Sequence, residues 1–163
     1  MHDRADEPGR QVLEVQPGTA HFEQVLILAA RVLAQDRYLA SRMPHALESH
    51  VLAAFDGTRC AGFLRYVVQV IGAEEGRTAI MHNDKPLLEG YVEAFGVDPQ
   101  RRRRGIGTVL QQDAARRCRT AGCYQMRSPQ SGDKRRELCP EDCRRVRPAS
   151  QQPKRFLLFP PAP

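Results

Sequence analysis

The sequence predicts an α/β fold, a single domain in which a mixed, mostly antiparallel sheet is flanked by helices. Two observations predict it. Segments with the alternation of strands and segments with helical spacing follow one another in the order strand, helix, two antiparallel strands, strand, loop, helix, strand. In addition, the 163 residues match the size of one ordinary domain and are enough to bury a core.

Strands are predicted where β-branched, aromatic and other apolar residues alternate or run together between turn residues. The segments with this pattern are 11–15, 51–55, 60–71, 87–97 and 123–126. Asp56-Gly57 is a tight-turn dipeptide, so the second and third segments are expected to form a hairpin. The polar segment from Gly72 to Pro86 is predicted to be a loop, with turns at Gly76 and at Asn83-Asp84.

Helices are predicted where apolar residues recur every three or four positions. The first runs from Thr19, a residue type that caps helices, to about Ala34. A short second helix is expected after Pro44. The last helix begins at Gly105 or Ile106 and ends at Gly122, a residue type that favours helix ends.

Composition narrows the function classes. No stretch approaches the roughly 18 apolar residues of a membrane-spanning helix, and the polar N-terminal segment is unlike a secretory signal. A cytoplasmic protein without a membrane partner is therefore expected. The five cysteines lack zinc-like spacing, so we expect reduced thiols and no metal. The net charge of +6 favours a polyanionic partner, either a nucleic acid or a phosphorylated small molecule.

The loop between the fourth strand and the last helix has the features of a phosphate site. The strand ends at Val97, the helix begins near Gly105, and four arginines, 101–104, lie between them. The first N–H groups of a helix have no acceptor within it and lie at the positive end of its dipole, which suits a phosphate or pyrophosphate. Gly105 and Gly107 would let the backbone approach phosphate oxygens closely.

The string Arg102-Arg103-Arg104-Gly105-Ile106-Gly107 resembles the acyl-CoA-binding motif of the Gcn5-related N-acetyltransferase (GNAT) superfamily, Arg/Gln-x-x-Gly-x-Gly/Ala. The preceding Val97-Asp98-Pro99, the following Val109-Leu110 and the order of the upstream elements are also similar to that family. The resemblance covers roughly residues 10–127. It predicts a GNAT-like domain at 1–127, followed by an irregular, basic, proline-rich tail at 128–163.

This resemblance implies an acetyl-CoA-dependent N-acetyltransferase that acts on a primary amine of a small molecule or a protein. The amine would attack the thioester directly in a ternary complex, without a covalent enzyme intermediate. Acetyl-CoA is then a co-substrate, and its pantetheine arm would contact the backbone of Phe95 and Val97. The residues implied to hold its pyrophosphate through their N–H groups are Arg102, Arg103, Arg104, Gly105, Ile106, Gly107 and Thr108.

Acetyl transfer requires a neutral amine, so a base must remove its proton. In many family members a carboxylate on the corresponding strand does so, which makes Glu93 the first candidate and Glu89 the second. By period-two alternation both are predicted to lie on the same face of the strand as Phe95 and Val97. Glu93 paired with an arginine, without a catalytic role, is the competing interpretation. The general acid stays unassigned, because Tyr124 lies earlier in the chain than the tyrosine the family often uses.

The segment beyond Arg127 departs from the family pattern. Seven of the twelve prolines follow Gln125, and the helix and two strands that complete the family's sheet are not evident. C-terminal strands are therefore expected to be missing or irregular, and the tail is hypothesised to be truncated, divergent or read out of frame.

Two alternative functions are left open. The first is a catalytically impaired relative that binds CoA or only keeps the fold. The second is a basic nucleic-acid-binding protein, which the absence of interleaved aromatic residues and of a helix-turn-helix pattern disfavours. The oligomeric state is left open, with a homodimer as one candidate.

Overall fold

The computed structural model describes residues 10–32, 34, 36–128 and 156–158. Within this part of the chain the predicted α/β architecture is confirmed, because a six-stranded sheet carries helices on both faces. The strands are β1 (Arg10–Glu14), β2 (Glu48–Asp56), β3 (Arg59–Val70), β4 (Met81–His82), β5 (Lys85–Pro86), β6 (Leu88–Val97), β7 (Gln125–Arg127) and β8 (Phe156–Leu158).

The main sheet has the strand order β1-β2-β3-β6-β7-β8, and β4 and β5 form a separate small hairpin. Neighbouring strands are antiparallel except β6 and β7, which are parallel. The predicted turn joins β2 to β3, and Gly57 takes the left-handed conformation there with a φ of 62°. In the small hairpin Asn83 and Asp84 have φ values of 49° and 60°, as a type I′ turn requires.

The described residues form three α-helices: α1 (Ala20–Arg31), α2 (Asp36–Ala40) and α3 (Ile106–Thr120). The start of α1 is as predicted, because the Thr19 hydroxyl accepts the N–H of Phe22 at 3.2 Å. The expectation of a helix after Pro44 is wrong, since α2 ends at Ala40. Pro44 and His45 form a turn and β2 begins at Glu48, which leaves too few residues for a helix. Among the described residues, no helix has the length and apolar character needed to cross a membrane.

Apolar stripes hold α1 and α3 to opposite faces of the sheet. Val25 and Leu28 of α1 belong to one buried cluster, and Ile106, Leu110 and Ala114 of α3 belong to the other. Leu110 is completely buried, and burial of a leucine side chain contributes roughly 1.5–3 kcal/mol. The N-terminal turn of α3 is thereby fixed against β3 and β6.

A bulge in β6 breaks the predicted alternation of its side chains. Arg65 of β3 pairs with Ala94 and Tyr66 pairs with Val92, so Glu93 is an extra residue between them. Glu93 therefore faces the α1 side of the sheet together with Ala94, whereas Phe95 faces α3. The prediction that Glu89, Glu93, Phe95 and Val97 share one face is wrong for this reason.

The end of the chain supplies one more strand than the sequence indicated. β8 pairs with β7 in antiparallel register, with Gln125 opposite Leu158 and Arg127 opposite Phe156. The short apolar run Phe156-Leu157-Leu158-Phe159 is all that marked this strand in the sequence. Residues 129–155 and 159–163 lie outside the described part of the chain, so the domain boundary at 127/128 stays a prediction.

Candidate functional site

The strand β7 pairs with only the first half of β6. β7 pairs with Glu89, Gly90 and Tyr91 of β6, and with no β6 residue beyond Tyr91. From Val92 to Val97 that edge of β6 has no strand partner among the described residues, although its other edge stays paired with β3. The backbone groups along this open edge can therefore bind an extended ligand.

Phe95 and Val97 direct their backbone groups to the open edge. The N–H of Asp98 donates to the carbonyl oxygen of Ala61 on the β3 side at 2.9 Å. In an antiparallel pair, hydrogen bonding to one neighbour alternates from residue to residue. Asp98 and Gly96 thus face β3, and the N–H and C=O groups of Phe95 and Val97 face away from it.

The N-terminus of α3 lies beside this edge and has no side-chain cap. Gly105 is the N-cap residue, in the left-handed conformation with a φ of 77°, and it offers no side-chain acceptor. The first intrahelical bond runs from the Val109 N–H to the Gly105 carbonyl at 3.0 Å. The N–H groups of Ile106, Gly107 and Thr108 therefore have no acceptor within the helix and lie at the positive end of its dipole.

A cavity of about 400 Å³ joins the open edge to the helix N-terminus. Its lining includes eight of the nine residues that the sequence analysis implied for cofactor binding. The lining residues are Val32, Phe95, Gly96, Val97, Arg102, Arg103, Gly105, Ile106, Gly107 and Thr108. The ninth implied residue, Arg104, is exposed and does not line the cavity.

The cavity also contains two residues that the sequence analysis missed. A Cβ at Gly96 would lie 2.7 Å from Phe63 Cε1 and 3.0 Å from Val32 Cγ1, so only glycine fits at this point of the strand. Gly96 carried a signal, since a glycine inside a strand pattern often marks a close approach. Val32 carried none, because only the folded chain brings the end of α1 to this position.

The four consecutive arginines have different environments. Arg101 is ion-paired with Asp56 in the β2–β3 turn, which ties the loop to the sheet. The Arg102 Nε donates to the Val97 carbonyl at 3.4 Å, and Arg103 adopts a left-handed backbone with a φ of 61°. Arg102 and Arg103 thus add positive charge to the cavity wall, and the helix dipole adds to the same field.

The first candidate base, Glu93, is buried against Arg65. The Arg65 Nε lies 2.9 Å from Glu93 Oε2, and the two side chains are only 3% and 5% exposed. The Arg65 Nη2 donates to the Ser41 carbonyl and, at 3.3 Å, to the Ser49 hydroxyl. Burial raises the pKa of Glu93, and the positive charge of Arg65 lowers it in part.

The second candidate base, Glu89, is completely buried and fully hydrogen-bonded. Its oxygens accept from Gln69 Nε2 at 3.1 Å, from Gln125 Nε2 at 2.8 Å and from Arg127 Nη2 at 3.0 Å. Arg127 also stacks on the Tyr91 ring, with its guanidinium carbon 4.7 Å from the ring centre. A carboxylate with all its acceptor positions occupied is suited to joining β3, β6 and β7, and this geometry favours a structural role for Glu89.

Neither Glu93 nor Glu89 lines the cavity, and the remaining chemistry-bearing residues of the described part of the chain do not line it either. Tyr124 is about half exposed, and its backbone N–H donates to the Leu88 carbonyl at 2.8 Å, at the closed end of the β6–β7 pair. Cys60, Cys118 and Cys123 are buried free thiols. Cys139 and Cys143 lie outside the described residues.

Several solved structures share this fold at low sequence identity. A transcriptional regulator from Bacillus halodurans C-125 has a TM-score of 0.56 and 16% identity, and the match covers 79% of this chain and 87% of that one. An aminoglycoside acetyltransferase from an uncultured soil metagenomic sample has a TM-score of 0.55 and 15% identity, with 94% and 97% of the two chains covered. Aminoglycoside N-acetyltransferase AAC(6')-Iy in complex with CoA has a TM-score of 0.55 and 15% identity, with 94% of each chain covered.

Sequence comparison assigns the family. No curated protein matches this chain significantly. The model described as the acetyltransferase (GNAT) family matches residues 21–130, which is more than half of the chain. The matched segment contains the open edge of β6, the arginine loop and all of α3. This chain belongs to the acetyltransferase (GNAT) family.

Proposed function

We propose that this protein transfers the acetyl group of acetyl-CoA to a primary amine of a small molecule or a protein. The observation that carries the proposal is the cavity in which a strand edge that β7 does not cover meets an uncapped helix N-terminus. A nucleotide thioester has two parts that match these features. Its diphosphate suits the helix N-terminus, and its amide-containing pantetheine arm suits the strand edge.

The proposed position of the cofactor follows from the available hydrogen-bonding groups. The N–H groups of Ile106, Gly107 and Thr108 would hold the pyrophosphate, and Arg102 and Arg103 would attract it by charge. The backbone groups of Phe95 and Val97 would bind the two amides of the pantetheine arm and align the thioester carbonyl. CoA is present in the structure of the AAC(6')-Iy neighbour, which is consistent with this fold serving a CoA-dependent reaction.

The proposed reaction is a direct displacement. The amine nitrogen forms a bond to the thioester carbonyl carbon, the C–S bond breaks, and CoA leaves as a thiolate that takes up a proton. The amine must first lose its own proton, which Glu93 would accept directly or through a water molecule. Glu93 is favoured over Glu89 because its Oε1 has no hydrogen-bond donor, whereas Oε2 lies beside Arg65 and both oxygens of Glu89 are occupied.

The acceptor is proposed only as a class. Two of the neighbours described above are aminoglycoside acetyltransferases, so a test panel includes kanamycin and neamine beside spermidine, lysine and a peptide with a free N-terminus. Acetylation of any of these amines would separate an active enzyme from a catalytically impaired relative. Tight acetyl-CoA binding without turnover on the whole panel would favour the impaired relative.

Titration calorimetry with acetyl-CoA tests the cofactor site. Gly105→Asp would place a carboxylate where the diphosphate is proposed to lie, so we expect affinity to fall by about 100-fold or more, since charge-assisted hydrogen bonds are lost. Gly122→Asp is a matched control at the other end of α3. Gly105 and Gly122 have φ values of 77° and 79°, and neither has an atom within 4 Å of a built Cβ. Equal affinity in the two variants would contradict the proposed site.

A further inference from the structure

Two carboxylates on β6 are buried beside an arginine, but their hydrogen bonding differs. The oxygens of Glu89 are filled by Gln69, Gln125 and Arg127. Glu93 lies 2.9 Å from Arg65, yet neither of its oxygens has a hydrogen-bond partner of good geometry. The same is true of Nε and Nη1 of Arg65. Buried polar groups are rarely left in this state, and such groups concentrate where chemistry or a bound water uses them.

Arg65 is itself held in place from outside the pair. Its Nη2 donates to the Ser41 carbonyl, in the segment after α2, and to the Ser49 hydroxyl of β2 at 3.3 Å. The bulge in β6 lies opposite Arg65 and turns the extra residue, Glu93, onto the same face. The guanidinium is therefore fixed by neutral oxygens on one side, and its charge is directed at the carboxylate on the other.

From this geometry we infer that Arg65 is a positioning residue, which holds the Glu93 carboxylate ionised and oriented through Oε2 while Oε1 keeps no hydrogen-bond donor. The inference rests on the proposed function, in which Glu93 removes the amine proton. A buried carboxylate without a cation becomes neutral near pH 7 and cannot accept a proton. A carboxylate with both oxygens hydrogen-bonded, such as Glu89, has no acceptor position left for the amine proton. In the Arg65–Glu93 pair, by contrast, the carboxylate has a cation beside it and one oxygen without a hydrogen-bond donor.

Among the described residues, the charged side chains to consider around Glu93 come from β3, β6 and α2. Arg65 of β3 is the cation in contact with it. On β6 itself, Glu89 shares the same face but is neutralised by Arg127. The helix α2 packs against β6 and carries the charged residues Asp36 and Arg37, of which Arg37 is exposed. Removal of the Arg65 charge is therefore expected to remove the cation that contacts Glu93.

The test measures the Glu93 titration directly, by NMR of protein labelled with ¹³C at the glutamate carboxyl carbon. The Glu93 resonance is assigned with Glu93→Gln. In Arg65→Met, which keeps length but removes charge, we expect the pKa of Glu93 to rise by more than about one pH unit above its wild-type value. In Arg65→Lys, which keeps the charge and is less disruptive to folding, we expect a value between the two.

The pH dependence of acetyl transfer, measured with an amine from the panel, should follow the same order. Ionised Glu93 is the active form, so activity falls as pH drops through its pKa. The acidic limb of kcat/KM should therefore move to higher pH in Arg65→Met, by the shift that NMR records. Arg127→Met is the matched control, because it breaks a buried ion pair on the same strand. It should leave the Glu93 titration and the acidic limb in place.

An unchanged Glu93 pKa in both Arg65 variants would overturn the inference, as would an equal shift in Arg127→Met. These results do not depend on turnover. If wild-type protein acetylates no amine of the panel, the proposed function fails, while the NMR titration still decides whether Arg65 controls Glu93. If Arg65→Met does not fold, Arg65→Lys alone must move the Glu93 titration, and a wild-type titration curve would refute the inference.

Discussion

Each half of β6 carries a buried glutamate, but the two halves differ in strand pairing and in the hydrogen bonding of that glutamate. In the half from Leu88 to Tyr91, the strand is paired on both edges, and its carboxylate accepts from three side chains. In the half from Val92 to Val97, one edge has no strand partner in the described part of the chain, and the carboxylate of Glu93 lies beside Arg65 with Oε1 lacking a hydrogen-bond donor. The closed half holds the sheet together, and the open half contributes Phe95, Gly96 and Val97 to the wall of the cavity. The difference locates the candidate site better than residue type does.

The largest expected effect is on the stability of the closed half. Arg127→Met leaves Glu89 buried without its cation, and removal of one partner from a buried ion pair typically costs about 3–5 kcal/mol. Urea denaturation would measure the loss in the free energy of unfolding. Under conditions where the variant is folded, its affinity for acetyl-CoA should equal that of wild type. A stability loss below about 1 kcal/mol would mean that Arg127 is not a structural partner of Glu89.

In the open half, Glu93→Gln should lower turnover and leave cofactor binding intact. Loss of a general base typically reduces the rate by about 10²–10⁴-fold, whereas the pyrophosphate site contains no contact with Glu93. Steady-state kinetics with the best amine of the panel, combined with acetyl-CoA calorimetry, separates the two effects. Glu89→Gln is the comparison variant. A greater loss of kcat in folded Glu89→Gln than in Glu93→Gln would assign the base to the closed half instead.

A smaller effect is expected where α3 approaches the open half. A Cβ at Gly107 would lie 3.0 Å from Phe95 Cζ, so Gly107→Ala pushes the ring or the helix start by a few tenths of an ångström. We expect acetyl-CoA affinity to fall by about tenfold, since pyrophosphate binding depends on the position of these N–H groups. Calorimetry measures this change. An affinity within twofold of wild type would show that the approach of Phe95 to Gly107 is not critical.

An effect of similar size is expected on the closed half, and on stability alone. A Cβ at Gly90 would lie 2.3 Å from Cys118 Sγ, so Gly90→Ala overpacks the contact between β6 and α3 at a cost of about 1–3 kcal/mol. Gly90→Ala combined with Cys118→Ala should recover part of that loss, because the smaller side chain removes the clash. Thermal unfolding of the single and double variants tests this coupling. Purely additive losses would contradict it.

The sequence predicted the parts of the molecule that depend on local pattern. The strand ending at Val97, the loop and the helix beginning at Ile106 follow from alternation, charge and glycine placement within one short segment. The same local rules could not detect the bulge at Glu93, because it is defined by the pairing of β6 with β3. They assigned Glu93 and Phe95 to one face for that reason.

Contacts between distant segments were beyond sequence reasoning as well. An arginine partner is one interpretation of Glu93 from the sequence, but nothing there singles out Arg65, which is 28 positions away. Val32 reaches the cavity only because α1 packs across the sheet. The short strand β8 was not predicted, since an isolated apolar run of this length in a proline-rich segment lacks the alternation that indicates a strand.

The central claim is that the open half of β6 and the start of α3 together bind one nucleotide thioester. Titration of ¹⁵N-labelled protein with CoA, followed by amide NMR, tests it most directly. We predict that the amide signals of Phe95, Val97, Ile106, Gly107 and Thr108 shift together with a single dissociation constant, while those of Glu89, Gly90 and Tyr91 stay in place. Saturating CoA that moves none of the first group, or moves both halves of β6 equally, would contradict the account.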